Sequence, residues 1–334
     1  MIEERDTFSS VPELVERLGV EPSDWEELDK EVAAGPRYTY PFGLWFRGEG
    51  RGYPAGNLVP SVFRPIGDKV YDEVSMFNVF RLRASDYRQE NPMTFDWLCL
   101  MQHYGLPSRL IDWTESPLVA LYFAVRNEAY HNKEDGFIYA LNARRLNRVT
   151  DVIRNPARSG LHVPESFNTV IRAECADRPI LASLFKVRSV VECDQTDSLP
   201  DPNLRDIIEN PDEIENSGFL RRLRMPTAVY PFRSNGRMIA QYSLFTVHGG
   251  KMEQDPPRTE GLTVGPPIHL DEVNELSGHT VVWCYRISSH QKREIKRQLE
   301  RLGIHEGTLY PEIEQQAAYS KRIWLVAGKR SEGA

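Results

Sequence analysis

Apolar positions along the chain alternate between two spacings, and each spacing predicts its own elements. Val11, Leu14, Val15 and Leu18 recur at helical intervals after Ser9-Ser10, and a second, acidic helix is predicted from Ser23 through Trp25 and Leu28 to Val32. Residues 1–35 thus read as a helical preface. Gly43 to Phe46 is a short apolar run of the buried-strand kind, which Arg47 ends, and a glycine-rich loop follows through Gly48, Gly50, Gly52 and Gly56. Ser61 to Arg64 reads as strand-like, and residues 70–90 as one long helix carrying Val74, Phe77, Phe80 and Leu82. Helical pieces are predicted near 142–148 and 165–176. Strands are predicted over Gly136–Leu141, Thr227–Phe232, Leu244–His248 and Val281–Ile287. Ser288 with Gln291 suggests a capping box for a helix through Ile295, Leu299 and Leu302, which Gly303 stops. A further helix follows Leu309-Tyr310-Pro311. An acidic surface excursion is expected at about 194–217 and a loop at 249–280. The pattern predicts an α+β fold: a single domain over 36–325 with a mixed, mostly antiparallel, split or two-sheet core flanked by helices.

The densest stretch runs from Gln102 to Leu118. Thr94 is placed to start a helix with Trp97, Leu98 and Met101 on one side. Gly105 suits a left-handed residue after its last turn, and Pro107 prevents resumption. Arg109-Leu110-Ile111 is long enough for a short strand. Ser116 then caps a second helix with Pro117 in its first position. Leu118, Leu121 and Tyr122 give that helix a buried stripe, while Ala120 and Ala124 allow close approach. Asp112, Trp113 and Thr114 therefore fall where a strand ends and a helix begins, a place that favours anionic groups.

Composition narrows the class. The 334 residues, 40% apolar and 27% charged, describe an ordinary globular chain. A net charge of −7 argues against a broad nucleic-acid surface, although it leaves room for a local basic cleft. Cys99, Cys175, Cys193 and Cys284 are scattered, which fits a reducing cytoplasm and neither a disulfide frame nor a zinc site. The first residues do not resemble a signal peptide and no apolar run is long enough to span a bilayer, so no membrane partner is expected. A dinucleotide fingerprint in the 48–56 loop fails on spacing and on Pro54. His248, His269, His279 and Glu253 are too dispersed to suggest a metal.

Single residues carry two readings each. Arg47, at a strand end beside flexible backbone, suits phosphate or carboxylate, or else a structural ion pair. His103 reads as a general base, an aromatic wall with Tyr104, or a hydrogen-bonded core histidine. Trp113 reads as a stacking platform or a core tryptophan. Arg109 and Asp112, three apart, face opposite sides of a regular strand. They pair only if the strand bends, and otherwise each satisfies another partner.

Three separated pieces resemble one family. Phe46-Arg47-Gly48, the unbroken run His103-Tyr104-Gly105-Leu106-Pro107-Ser108-Arg109-Leu110-Ile111-Asp112-Trp113-Thr114 continuing to Ala124, and Gln241-x-x-x-Phe245 occur in the order of the FRG domain family. Leu302-Gly303-Ile304 and Leu309-Tyr310-Pro311 also resemble that family, so the likeness extends over roughly residues 36–320. Ser243 stands where the pattern expects glycine. More distantly, the order of elements is similar to the ADP-ribosyltransferase fold. That resemblance implies NAD as substrate, with Arg47, beside Gly48, gripping its diphosphate or ribose and Arg109 holding phosphate. Thr114 becomes the middle element, and His103, Tyr104 and Trp113 line the pocket. Gln241 takes the place of a late glutamate, and Asp112 or Glu115 supplies the missing carboxylate. It implies a toxin or phage-defence effector acting on a protein or nucleic-acid acceptor, with an antitoxin or defence-system partner. Two other readings compete: a non-catalytic nucleotide- or nucleic-acid-binding module, and a nuclease or other hydrolase using His103 and Asp112.

Overall fold

The computed structural model describes residues 2–19, 44–84 apart from 53–55 and 57, 94–146 apart from 144, 225–249 apart from 230, 232 and 234, and 266–325. The helices predicted at 23–32 and 165–176 and the excursion at 194–217 lie outside the described residues.

Seven strands form one sheet: β1 (Glu3–Phe8), β2 (Leu44–Glu49), β3 (Leu110–Thr114), β4 (Gly136–Asn142), β5 (Pro226–Val229), β6 (Ser243–His248) and β7 (Val282–Ile287). Their order is β1-β7-β4-β2-β3-β6-β5. β1 runs parallel to β7, and every other neighbouring pair is antiparallel. The mixed α+β character matches the expectation, but among the described residues one continuous sheet stands in place of a split or two-sheet core. Its weakest seam is between β2 and β3, whose register is a single pair, Phe46 with Thr114. On either side the ladders are long: β2 pairs with β4 from Leu44 to Glu49, and β3 with β6 from Leu110 to Thr114.

Strand alternation sorts the core onto two faces. Phe46, Ile138, Ala140, Trp283 and Tyr285 point to one face and join a buried cluster with Val119, Leu121, Ile295 and Leu299. The helices on this side are α1 (Val11–Gly19), α4 (Pro117–Val125) and α7 (Lys292–Arg301). Trp45, Ile111, Trp113, Leu141, Leu244 and Val282 point the other way, packing on α6 (Leu270–Ser277) through Leu270 and Val273. Leu110, Phe245 and Val247 meet Phe77 of α2 (Glu73–Arg83) and Leu98 and Met101 of α3 (Thr94–His103). The short α5 (Gly236–Ala240) and α8 (Glu306–Leu309) and the longer α9 (Ile313–Ile323) complete the α-helices among the described residues. Among the described residues no helix is long and apolar enough to cross a membrane.

Several local expectations change. Within the predicted helical preface, Glu3–Phe8 is a strand, whereas Val11–Gly19 is the helix its spacing predicts. Ser61–Phe63 is a 3-10 turn, tied by Arg64 Nε donating to Val59 O at 2.8 Å. The helix expected at 70–90 ends at Arg83. Arg47 lies inside β2, and Asp112 to Thr114 lie inside β3 instead of beyond it. The 249–280 stretch contains α6. Gln291 begins α7 without a side-chain cap bond, so the Ser288–Gln291 capping box does not form.

Candidate functional site

The seam between β2 and β3 is where the chemistry collects. α4 packs against β2 and β4, and α3 packs against β3, both on the same face of the sheet. Ser116 sets the start of α4 by accepting a hydrogen bond from Val119 N at 3.3 Å, with Pro117 in the first turn. Gly105, at φ +76°, ends α3 and returns the chain to β3. Between these helices, above the seam, lies an open cleft of about 230 Å³. Its size is just under the ~300 Å³ at which small-molecule sites usually begin.

Arg47 closes the seam from below. It alternates to the same face as Trp45, yet its guanidinium crosses the opening and donates to Asp112 O at 2.9 Å. It also pairs with Glu49, which, like Arg47, lines the cleft. Burial opposes the charge on Arg47, and Glu49 and then Asp112 more than offset it, so its pKa is raised. Arg47 is therefore a strut between two strands as well as a cleft cation.

Asp112 sits across from it. Its carboxylate accepts from Gln102 Nε2 at 2.6 Å and stands 3.9 Å from the Arg47 guanidinium. Gln102 is itself oriented, because Ser108 Oγ donates to its Oε1 at 2.8 Å while accepting from Leu110 N at 3.1 Å. The Asp112 side chain is 54% exposed, so a fixed carboxylate faces solvent in the cleft. Thr114 Oγ1 donates to Gln241 O at 2.7 Å and accepts from Ser116 N at 3.0 Å, joining β3, α4 and the end of α5. Gln241 donates from Nε2 to Leu309 O at 3.0 Å. It lies at the end of α5, one turn residue before β6, in keeping with the short turn or helix end that the sequence suggests for Arg237 to Gln241. That turn residue, Tyr242, has φ +50°, a left-handed conformation uncommon for a non-glycine residue.

His103, the last residue of α3, also faces the cleft, with Nε2 3.6 Å from Glu312 Oε1. Its pKa is lowered from 6.5 by burial first and by Arg237 second, against an upward pull from Glu312. It is neutral near pH 7. Cys99 lines the same cleft, and burial, then Asp96 and Asp112, hold its thiol protonated.

Of the residues singled out in the sequence, the fold gathers Arg47, Gly48, His103, Asp112, Thr114 and Gln241 around one cleft. Four others are committed differently. Arg109 gives its fork to Glu73 of α2, with Nε at 3.0 and 3.1 Å from the carboxylate oxygens, and donates to His248 O at 3.0 Å. A partner thirty-six residues upstream takes the role expected of a phosphate. Tyr104 is 66% exposed outside the cleft, its ring edge-on to His103 at 5.0 Å. Trp113 contributes to the cleft wall, but it is 2% exposed and its indole N–H donates to Thr246 Oγ1 at 3.0 Å. It is a core tryptophan. Glu115, the other candidate carboxylate, pairs with Arg233 at 2.8 Å.

Glu49, Gln102, Arg126, Arg237 and Tyr310 also line the cleft; Gln102 and Tyr310 fall in stretches already noted, but no site role was expected of any of the five. Arg126 lies two residues after the long motif ends, and Arg237 four before Gln241. Among the described residues no group of three His, Cys, Asp or Glu side chains is placed to hold a metal.

Residues 43–133 match the FRG domain family. The match takes in β2, α3, β3 and α4, the elements that form two walls and the floor of the cleft. No curated protein and no solved structure matches the chain.

Proposed function

We propose that this cleft binds NAD and transfers its ADP-ribose to an acceptor on a protein or nucleic acid. The observation that supports this most is the meeting, over one seam in the sheet, of Arg47 and Gly48, of His103, Asp112 and Thr114, and of Gln241. Arg47, Thr114 and Gln241 are the three positions that the resemblance to ADP-ribosyltransferases calls for.

In this reading the bond that breaks joins ribose C1′ to the nicotinamide nitrogen. Nicotinamide leaves with the bonding electron pair, and positive charge develops at C1′. Such a charge is best met by a carboxylate already in place. Asp112 is that carboxylate, because its orientation is set by Gln102 before any ligand arrives. Gln241, neutral and anchored through Nε2, offers Oε1 to a ribose hydroxyl. The acceptor nucleophile then bonds to C1′, and its proton passes to His103, which is neutral near pH 7. A toxin or phage-defence role follows from the family resemblance, as does a partner that restrains it.

One observation favours a second reading. The late position that would carry a glutamate is a glutamine with its amide nitrogen already bonded, which suits a non-catalytic nucleotide-binding module. Purified protein incubated with NAD labelled in the adenylate, with cell extract as the acceptor source, separates the two. Release of nicotinamide, lost in Asp112→Ala, supports transfer. Binding without turnover supports the module, and neither binding nor turnover overturns both.

A further inference from the structure

We infer that Arg126 and Arg237, both held by Tyr310, form a diphosphate-binding subsite in the cleft that Asp112 also lines. The inference deepens the proposed function by saying which residues take the phosphates. It stands on the pairing of the arginines, not on catalysis.

The arginines in and near the cleft divide into two kinds. Arg47 is matched by Glu49, Arg109 by Glu73 and Arg233 by Glu115. Arg126 and Arg237 have no carboxylate partner among the described residues. Arg126, immediately after α4, bonds the Tyr310 hydroxyl through Nη1 and lies over the Phe123 ring at 4.9 Å. Arg237, in the first turn of α5, lies over the Tyr310 ring itself at 4.6 Å. Tyr310 is buried. One buried ring thus holds two guanidinium groups from elements far apart in the chain, and both line the cleft.

Stacking on aromatic faces and bonding a hydroxyl orient a guanidinium without neutralising it. Two such cations held by one ring, with no carboxylate beside them among the described residues, leave positive charge unmatched on this wall of the cleft. An anion bound by both would match it. The planar fork of each guanidinium matches a phosphate, and two forks match two linked phosphates better than one. A diphosphate with its sugars extended toward Asp112 places a ribose beside the carboxylate. The arginine expected in the sequence to grip phosphate, Arg47, is already bonded across the strand seam.

Inorganic pyrophosphate, which lacks base and sugar, tests the subsite apart from any chemistry on NAD. Titration calorimetry should show that the wild type binds it, and more weakly as salt rises. Arg126→Gln and Arg237→Gln should each weaken binding by about tenfold or more, the usual weight of a charge-assisted bond. Arg126→Lys and Arg237→Lys, which keep the charge and lose the fork, should fall between. Melting curves of the same variants show whether each is folded, and the lysine pair carries the test if a glutamine variant is not. ADP-ribose should lose affinity in the same order. Pyrophosphate bound with that dependence while NAD stays unbound keeps the subsite and removes the NAD reading. No pyrophosphate binding, or binding that survives both glutamine substitutions, overturns the subsite. So does a single-stranded oligonucleotide that binds with this dependence when pyrophosphate does not.

Discussion

Gly48 of β2 and Ala120 of α4 approach so closely that a Cβ on residue 48 would stand 1.7 Å from the Ala120 carbonyl oxygen and 2.8 Å from Ala124 N. Both obstacles are backbone, so no side chain can turn aside. This contact explains two features of the sequence together, the glycine of Phe46-Arg47-Gly48 and the alanines of the helix after Pro117. It also sets the depth of the cleft, because α4 lies directly on the strand that bears Arg47. Gly48→Ala should therefore be destabilised by at least about 3 kcal/mol, the upper range for overpacking, or should displace α4. Urea unfolding measures the loss, and a cost under about 1 kcal/mol would mean that the helix does not sit where it is described.

Arg47 holds the seam through Asp112 O on one strand and Glu49 on its own. Removing it leaves a largely buried carboxylate without its cation. Arg47→Ala should cost about 2–4 kcal/mol, and Glu49→Ala less. The double variant should lie nearer the larger single effect than the sum, with a coupling of at least ~1 kcal/mol. Additive losses would show that the pair does not act as a unit.

The His103 imidazole gives a readout that needs no turnover. Burial and Arg237 lower its pKa from 6.5, and Glu312 opposes them. Arg237→Gln should raise the pKa measured by NMR on the ring protons, and Glu312→Gln should lower it further. If His103 accepts the acceptor's proton, activity falls only as pH drops below that depressed value. The acid limb should then move up in Arg237→Gln. Titration curves that coincide in all three proteins would detach His103 from both neighbours.

What could be read beforehand divides along physical lines. The inner strands announce themselves, because Gly136–Asn142, Ser243–His248 and Val282–Ile287 are predominantly apolar and, Arg286 apart, almost wholly buried. So does α4, whose cap and first proline are local signals. β1 does not. Glu3–Phe8 carries Glu-Glu-Arg-Asp and becomes a strand through its parallel pairing with β7, where Arg5 stacks over Trp283 at 4.4 Å. Tertiary pairing there outweighs propensity. The same limit applies to the site. Asp112 and Thr114 stand out because they occur in a dense motif. Nothing local distinguishes Arg109, claimed by Glu73, from Arg126 or Arg237, whose companions are aromatic. Which arginine is matched by a carboxylate is decided by contacts between distant segments.

Lys292 offers a test of the loop after β2. The side chain is fully buried at the start of α7, where Nζ donates to Gly50 O at 2.6 Å. Burial lowers its pKa from 10.5 to about 8, against the pull of Asp135 and then Glu134. Below pH 8 both folded and unfolded chains carry the proton, and the fold bears the full penalty of the buried charge. Between about 8 and 10.5 the unfolded chain holds a proton that the folded chain has released, so stability rises with pH by up to ~1.4 kcal/mol per pH unit. Above 10.5 this gain is complete. Lys292→Met lacks the titration, and the other groups cancel in the difference between the two proteins. Urea midpoints at pH 7.5 and 10 should therefore show the wild type gaining on Lys292→Met as pH rises. A difference that stays flat, or shrinks, would place the Lys292 ammonium in solvent and release the Gly50 loop from α7.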